Sequence, residues 1–193
     1  MNPIFEFPAY VLRRQVLSLT GRFRLYDPLD NMVMFSEQKM FKLREDIRVY
    51  SDEAKQNEVL VIKARQIIDF SAAYDVIDSA SNQKVGVLRR KGWRSLLRDE
   101  WEVLDAQDQL TGSLFEDSIG LAMLRRVLLG SLLPQNYDLV VGGSRAADLR
   151  QRFNIFRYEL DLDLRENASR RLDPRLAIAA AILLAAVEGK QSS

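Results

Sequence analysis

The chain has 193 residues, 47% of them hydrophobic, and a formal net charge of +1; this suits one domain with a substantial core and gives no overall attraction to nucleic acid or anionic membrane. It contains neither cysteine nor histidine, which excludes disulfides, thiol chemistry, Ser-His-Asp and Cys-His nucleophiles, zinc fingers and most zinc or copper sites, so no metal and no cofactor is expected. No apolar stretch reaches the roughly 18 residues of a membrane span, and Met1-Asn2-Pro3-Ile4-Phe5-Glu6 lacks the basic and apolar regions of a secretory signal, so a cytoplasmic protein is expected.

In chain order, Val11 to Leu19 reads as a strand turning at Thr20-Gly21. Four hairpin units follow, each a β-branched or aromatic run, a polar turn and a second run. Phe23 to Asp27 leads into Met32 to Phe35, and Ile47 to Tyr50 leads into Val59 to Ile62. Tyr74 to Asp78 leads into Lys84 to Leu88, and Trp101 to Asp105 leads into Leu110 to Phe115. The turn-opening residues Asp27, Ser51, Asp78 and Asp105 recur about every 25 residues, the spacing of a β-meander. Ser118 to Leu129 reads as a helix, with acidic residues ahead, Arg125-Arg126 near its end and Gly130 and Pro134 beyond. Tyr137 to Val141, Asp148 to Phe153 and Arg157 to Leu164 read as further strands.

The chain closes on a different pattern. Asp173 is a good N-cap, Pro174 suits the first helical turn, and Gly189 sits where a C-terminal cap belongs. Between them Leu176 to Val187 carries no polar side chain. A helix apolar all round must be surrounded by protein or lipid, and this run rises only about 18 Å, too short for a bilayer core. We read it as a slim, alanine-rich rod inside the protein, in preference to a membrane anchor or an oligomer contact. Many antiparallel strands and one such rod have a natural solution: the sheet closes into a β-barrel, which removes its edges, and the helix fills it. A single domain spanning 1–193 is expected, with the barrel over about 7–165 and the central helix over about 174–188.

Several stretches resemble the LURP-one-related family. They are Lys42 to Tyr50, Tyr74 to Asp78, Val85 to Gly92, Ser95 to Trp101, and the closing Arg171-Leu172-Asp173-Pro174-Arg175-Leu176-Ala177 with its alanine-rich helix. The resemblance runs from Phe7 to Gly189. That family belongs with the tubby C-terminal domain and the phospholipid scramblases, so the resemblance implies a closed antiparallel barrel of about twelve strands round a hydrophobic C-terminal helix. Tubby domains bind phosphoinositide head groups through basic residues, and scramblases are tied to lipid redistribution. With no cysteine-rich palmitoylation segment and no proline-rich extension, an autonomous scramblase is not expected.

The most asymmetric charge feature is Lys84 to Arg98, which holds Lys84, Arg89, Arg90, Lys91, Arg94 and Arg98, with Trp93 among them. Arginine and lysine on a hairpin could grip phosphate, and tryptophan suits a water–lipid boundary. Lys84, Arg89, Arg90, Lys91, Trp93 and Arg94 are the candidate lipid- or anion-binding set. The competing expectation pairs these cations with Asp99, Glu100, Glu102 and Asp105 on neighbouring strands and puts Trp93 in the core. Val140-Val141-Gly142-Gly143-Ser144 lacks a P-loop lysine and reads as a tight turn. Asp161 and Asp163 share one side of a strand and read as an exposed face, and Asn167-Ala168-Ser169 is a glycosylation sequon by pattern only.

The expected function is a non-enzymatic module binding anionic phospholipid head groups or a membrane surface, cytoplasmic and peripheral. The alternative is a protein–protein scaffold or assembly factor. Nucleic acid is disfavoured as a partner, and an enzyme ranks third because the usual catalytic side chains are missing.

Overall fold

The structure is a computed structural model that describes residues 1–15, 20–39, 46–65, 72–91, 100–116, 135–152 and 157–188. The strands are β1 (Ala9–Gln15), β2 (Thr20–Tyr26), β3 (Met32–Lys39), β4 (Ile47–Tyr50), β5 (Glu58–Ala64) and β6 (Ala73–Asp78). The second half supplies β7 (Gln83–Arg90), β8 (Glu100–Leu104), β9 (Leu110–Glu116), β10 (Asn136–Val141), β11 (Ser144–Arg152) and β12 (Arg157–Asp163). Helix α1 (Pro174–Glu188) follows. Each strand pairs antiparallel with its sequence neighbours, and β1 pairs with β12 from Ala9↔Asp163 to Gln15↔Arg157, so the twelve strands form a closed barrel. Thr20 and Gly21 open β2, where sequence puts a turn. The helix expected over Ser118–Leu129 and the cap expected at Gly189 lie outside the described residues.

The hairpin turns between β2 and β3, β4 and β5, β6 and β7, β8 and β9, and β10 and β11 all stand at one end of the barrel, here the turn end. They share a construction. Asp30, Lys55, Asn82 and Asp108 each take a left-handed φ of 53° to 64°, and Gly142 and Gly143 do so in the fifth turn. Each turn is flanked by a register shift, opposite Leu25/Tyr26, Val49/Tyr50, Val76/Ile77, Val103/Leu104 and Leu139/Val140, with the extra residue on the strand after the turn. Such bulges sharpen the local twist and help a sheet to curl shut.

Carboxylates tie these turns down. Asp27 Oδ1 accepts from the backbone N–H of Leu29 (2.9 Å) and Asn31 (2.8 Å), and Asp105 Oδ1 accepts from those of Gln107 and Gln109 (both 2.9 Å). Asp78 Oδ1 accepts from Ser81 N at 2.8 Å. In the second turn the work falls to Asp52, one residue past the expected Ser51, which accepts from Gln56 N and Asn57 N at 3.2 Å each. The Asn31 side chain, aided by the backbone N–H groups, holds Asp27 below the ordinary carboxylate range, and the Gln56 N–H does the same for Asp52. At Asp78 burial pushes the carboxyl up, but the Ser81 and Arg175 donors together bring it below that range.

A carboxyl held low contributes stability above its unfolded pKa and loses that contribution as pH falls through its folded one. Urea midpoints should therefore stay level above about pH 5 and drop progressively below about pH 4, as these turns take up protons. A midpoint unchanged down to about pH 3 would contradict these assignments.

Inside the barrel lies α1. Ala177, Ile178, Ala179, Ala181, Ile182 and Ala185 are fully buried, and Leu176, Ala180, Leu183 and Leu184 nearly so. Asp173 Oδ1 accepts from Arg175 N at 3.0 Å, as an N-cap should. Arg175 then reaches out to Asp78 Oδ2 at 2.7 Å and Asp173 Oδ2 at 2.6 Å, fastening the start of the helix to the β6–β7 turn. Buried Asn167 braces the approach, donating to Leu172 O at 2.6 Å and accepting from Leu172 N at 3.1 Å. Small residues let the wall come close. A Cβ on Gly86 of β7 would stand 2.4 Å from Leu104 O and 3.0 Å from Leu176 Cδ1. With 15 residues the helix is about 22 Å long, enough to run from the turn end to the far end of the strands.

Candidate functional site

Strand alternation divides the basic run of β7. Leu88 belongs to the interior cluster, so Arg90, two residues on, shares its inward side, while Arg89 faces out. The Arg89 guanidinium lies 2.5 Å from Glu102 Oε2, directly across the β7–β8 register. Lys91 donates its backbone N–H to Glu100 O at 2.9 Å, and its Nζ lies 2.5 Å from Glu100 Oε1. Arg89 and Lys91 thus occupy one outer face, roughly 7 Å apart along the strand.

Lys84 lies elsewhere. It stands near the turn end, five residues before Arg89 and so roughly 17 Å away along β7, too far to share one head group with it. Its Nζ is 3.1 Å from Asp108 Oδ2, and Arg65 bridges Asp108 Oδ1 and Asp75 Oδ1 at 2.6 Å each. This charged cluster stands by Val87 and Leu104, register partners that are buried yet outside the interior cluster. Trp93 and Arg94 lie outside the described residues. Of the carboxylates expected as partners, Glu100 and Glu102 are used, Lys84 takes Asp108, Asp105 is engaged in its own turn, and Asp99 lies outside the described residues.

The inward set was not singled out in the sequence. Tyr10, Leu12 and Arg14 follow one another on the core side of β1, and Arg14 is 3% exposed with its guanidinium 5.4 Å from the Tyr158 ring centroid. Arg90 stands half-way round the barrel from it. Burial pushes the Tyr74 phenol up, offset in part by the nearby Arg90 charge, and Tyr74 packs on Trp101 at 6.1 Å between centroids. Both arginines lie toward the far end, where α1 finishes with no basic residue of its own in its last turn. Positive charge there complements the negative end of the helix dipole. The period-2 alternation of Tyr10, Leu12 and Arg14 was the available signal.

The remaining candidates are structural. Gly142 and Gly143 form the tight β10–β11 turn. Asp161 and Asp163 face outward, paired with Arg152 at 2.7 Å and Arg165 at 2.5 Å. Asn167 of the sequon is buried and bonded through both ends of its amide, so its nitrogen is not presented to solvent. Among the described residues no helix is long and apolar enough to cross a membrane.

A family model described as LURP-one-related matches residues 32–185, from β3 through most of α1. A search of the curated proteins and a search of the solved structures each return no match. The matched span holds the meander, the Gly86 approach and the Asp173-Pro174 entry to the buried helix. With its closed twelve-stranded barrel wound round that helix, the chain belongs to the LURP-one-related family, within the tubby-like and scramblase superfamily.

Proposed function

We propose that this protein is a non-enzymatic module that binds anionic phospholipid head groups at a cytoplasmic membrane face, without crossing it. One observation carries the reading: α1 fills the barrel with alkyl groups, so a ligand must be met on the outside. On that outside Arg89 and Lys91 share a face, and Trp93 and Arg94 follow in the chain after Gly92. Membership of a superfamily of lipid- and protein-binding barrels agrees with it. Lys84 is left out of the site by its distance, and Arg90 by its inward direction.

Co-sedimentation with phosphatidylserine vesicles tests the reading. The parent protein is expected to bind them and to ignore neutral phosphatidylcholine vesicles. Arg89→Gln, Lys91→Gln and Arg94→Gln combined should weaken binding about 100-fold, at about 1 kcal/mol per cation near an anionic surface. Exposed pairs contribute little stability, so the melting temperature should move by no more than about 4 °C. If neither the parent nor a chain with Glu100 and Glu102 changed to Gln binds anionic vesicles, the protein-docking alternative takes its place. Leu29 and Leu110, the exposed leucines among the described residues, stand at the turn end and are then the first surface to probe.

A further inference from the structure

We infer that Glu100 and Glu102 occupy the head-group site from within, as built-in competitors that an anionic surface must displace. This rests on the head-group reading above. The β7–β8 register sets Arg89 opposite Glu102, so the carboxylate sits where an incoming phosphate oxygen would go. Glu102 Oε2 accepts from Arg89 Nε at 2.6 Å and lies 2.5 Å from an Arg89 terminal nitrogen, so it holds that edge of the guanidinium. Glu100 accepts from Lys91 Nζ at 2.5 Å. On the described strands the two carboxylates offset the charge of the two cations. The pairs are also open to exchange, since the Arg89 and Lys91 side chains are 45% and 32% exposed. Pairs of this kind hold weakly in water, and a surface dense in phosphate can replace the carboxylates. The displaced Glu100 and Glu102 would then face an anionic surface and oppose binding. The carboxylates therefore set a threshold: sparse negative charge leaves the pairs closed, and dense charge opens them.

The test uses the full chain and phosphatidylserine vesicles, with phosphatidylcholine vesicles as the neutral reference. Glu100→Gln with Glu102→Gln removes the competitors at nearly constant shape. Asp148→Asn with Asp161→Asn makes the same charge change on β11 and β12, a third of the way round the barrel, where those carboxylates pair with Arg150 and Arg152. The first variant should need about tenfold less lipid for half-saturation at ~0.1 M salt, and the control should shift by less than about twofold. If the double variant fails a thermal-melt check, Glu102→Gln alone is read instead, with about a threefold gain expected. Binding by the Gln variant alone, with the parent silent, also supports a masked site. Equal gains in the Gln variant and the control overturn the inference and leave the head-group reading standing, as does no gain in a parent that binds. No binding by the parent or by either variant overturns the head-group reading itself.

Discussion

A chain ending at Asp173 is expected to accumulate as unfolded or aggregating protein. Without α1 the barrel loses Leu176, Ile178, Ile182, Leu183 and Leu184, all buried, along with the alanines between them. At about 1.5–3 kcal/mol per large aliphatic side chain, that burial contributes roughly 10 kcal/mol as an upper estimate. A typical domain has a net stability of about 5–15 kcal/mol, so the loss consumes most or all of it. The damage does not end there. Leu12, Leu25, Val49, Leu60, Val76 and Val103 would line a helix-sized void, and Asp78 would keep its charge without Arg175. Gel filtration with far-UV circular dichroism melts decides the matter. A soluble, monomeric product with a cooperative transition would show that the barrel stands without its rod.

Ala180→Arg should do nearly as much harm by a different route. Ala180 is 2% exposed, midway along a helix surrounded by barrel wall. An arginine there needs room that close packing does not offer, at about 1–3 kcal/mol. It also sets a cation among alkyl groups, and the effective penalty of an unpaired buried charge is several kcal/mol more. At about 2–4 °C per kcal/mol for a chain of this size, the melting temperature should fall by roughly 10–25 °C, or the protein should fail to express in soluble form. Ala180→Gly serves as the control. It gives up only helix propensity and one methyl group, about 1–2 kcal/mol, and should melt a few degrees lower. Calorimetry that finds Ala180→Arg within about 4 °C of the parent would place that face of the helix in solvent.

Much of the fold was legible because hairpins advertise themselves locally. Asp27, Asp78 and Asp105 were readable as turn openers, since a carboxylate that caps backbone N–H groups two to four residues on is a sequence-local device. The second turn was displaced by one residue because Ser51 and Asp52 both suit a turn, and only Asp52 uses its side chain for it. Thr20-Gly21 looks like a break in sequence, yet glycine also enters strands, and both residues begin β2. Closure needed a long-range argument. An all-apolar helix has to be surrounded, and that requirement rather than any local pattern points to the pairing of β1 with β12.

The candidate site was less legible, for a geometric reason. Arg89-Arg90-Lys91 reads as a stripe along the chain, whereas a strand sends neighbouring side chains to opposite faces. Alternation therefore splits the run into an outer pair and an inner arginine. Lys84 looked close by residue number, but an extended strand covers roughly 17 Å in five residues, which carries it to another end of the barrel. The partners chosen across β8 depended on the β7–β8 register, which sets Arg89 opposite Glu102 and which sequence does not mark.

Amide hydrogen exchange along α1 tests the filled barrel most directly, and the placement of any binding site on the outside depends on it. A helix enclosed by twelve paired strands cannot open by itself. The backbone amides from Ile178 to Ala185 should exchange with a free energy equal to that of global unfolding measured in denaturant. They should share it with the core amides of β1, β7 and β12. If those helix amides instead exchange several orders of magnitude faster than the strands around them, as a frayed or externally docked helix would, the helix does not fill the barrel.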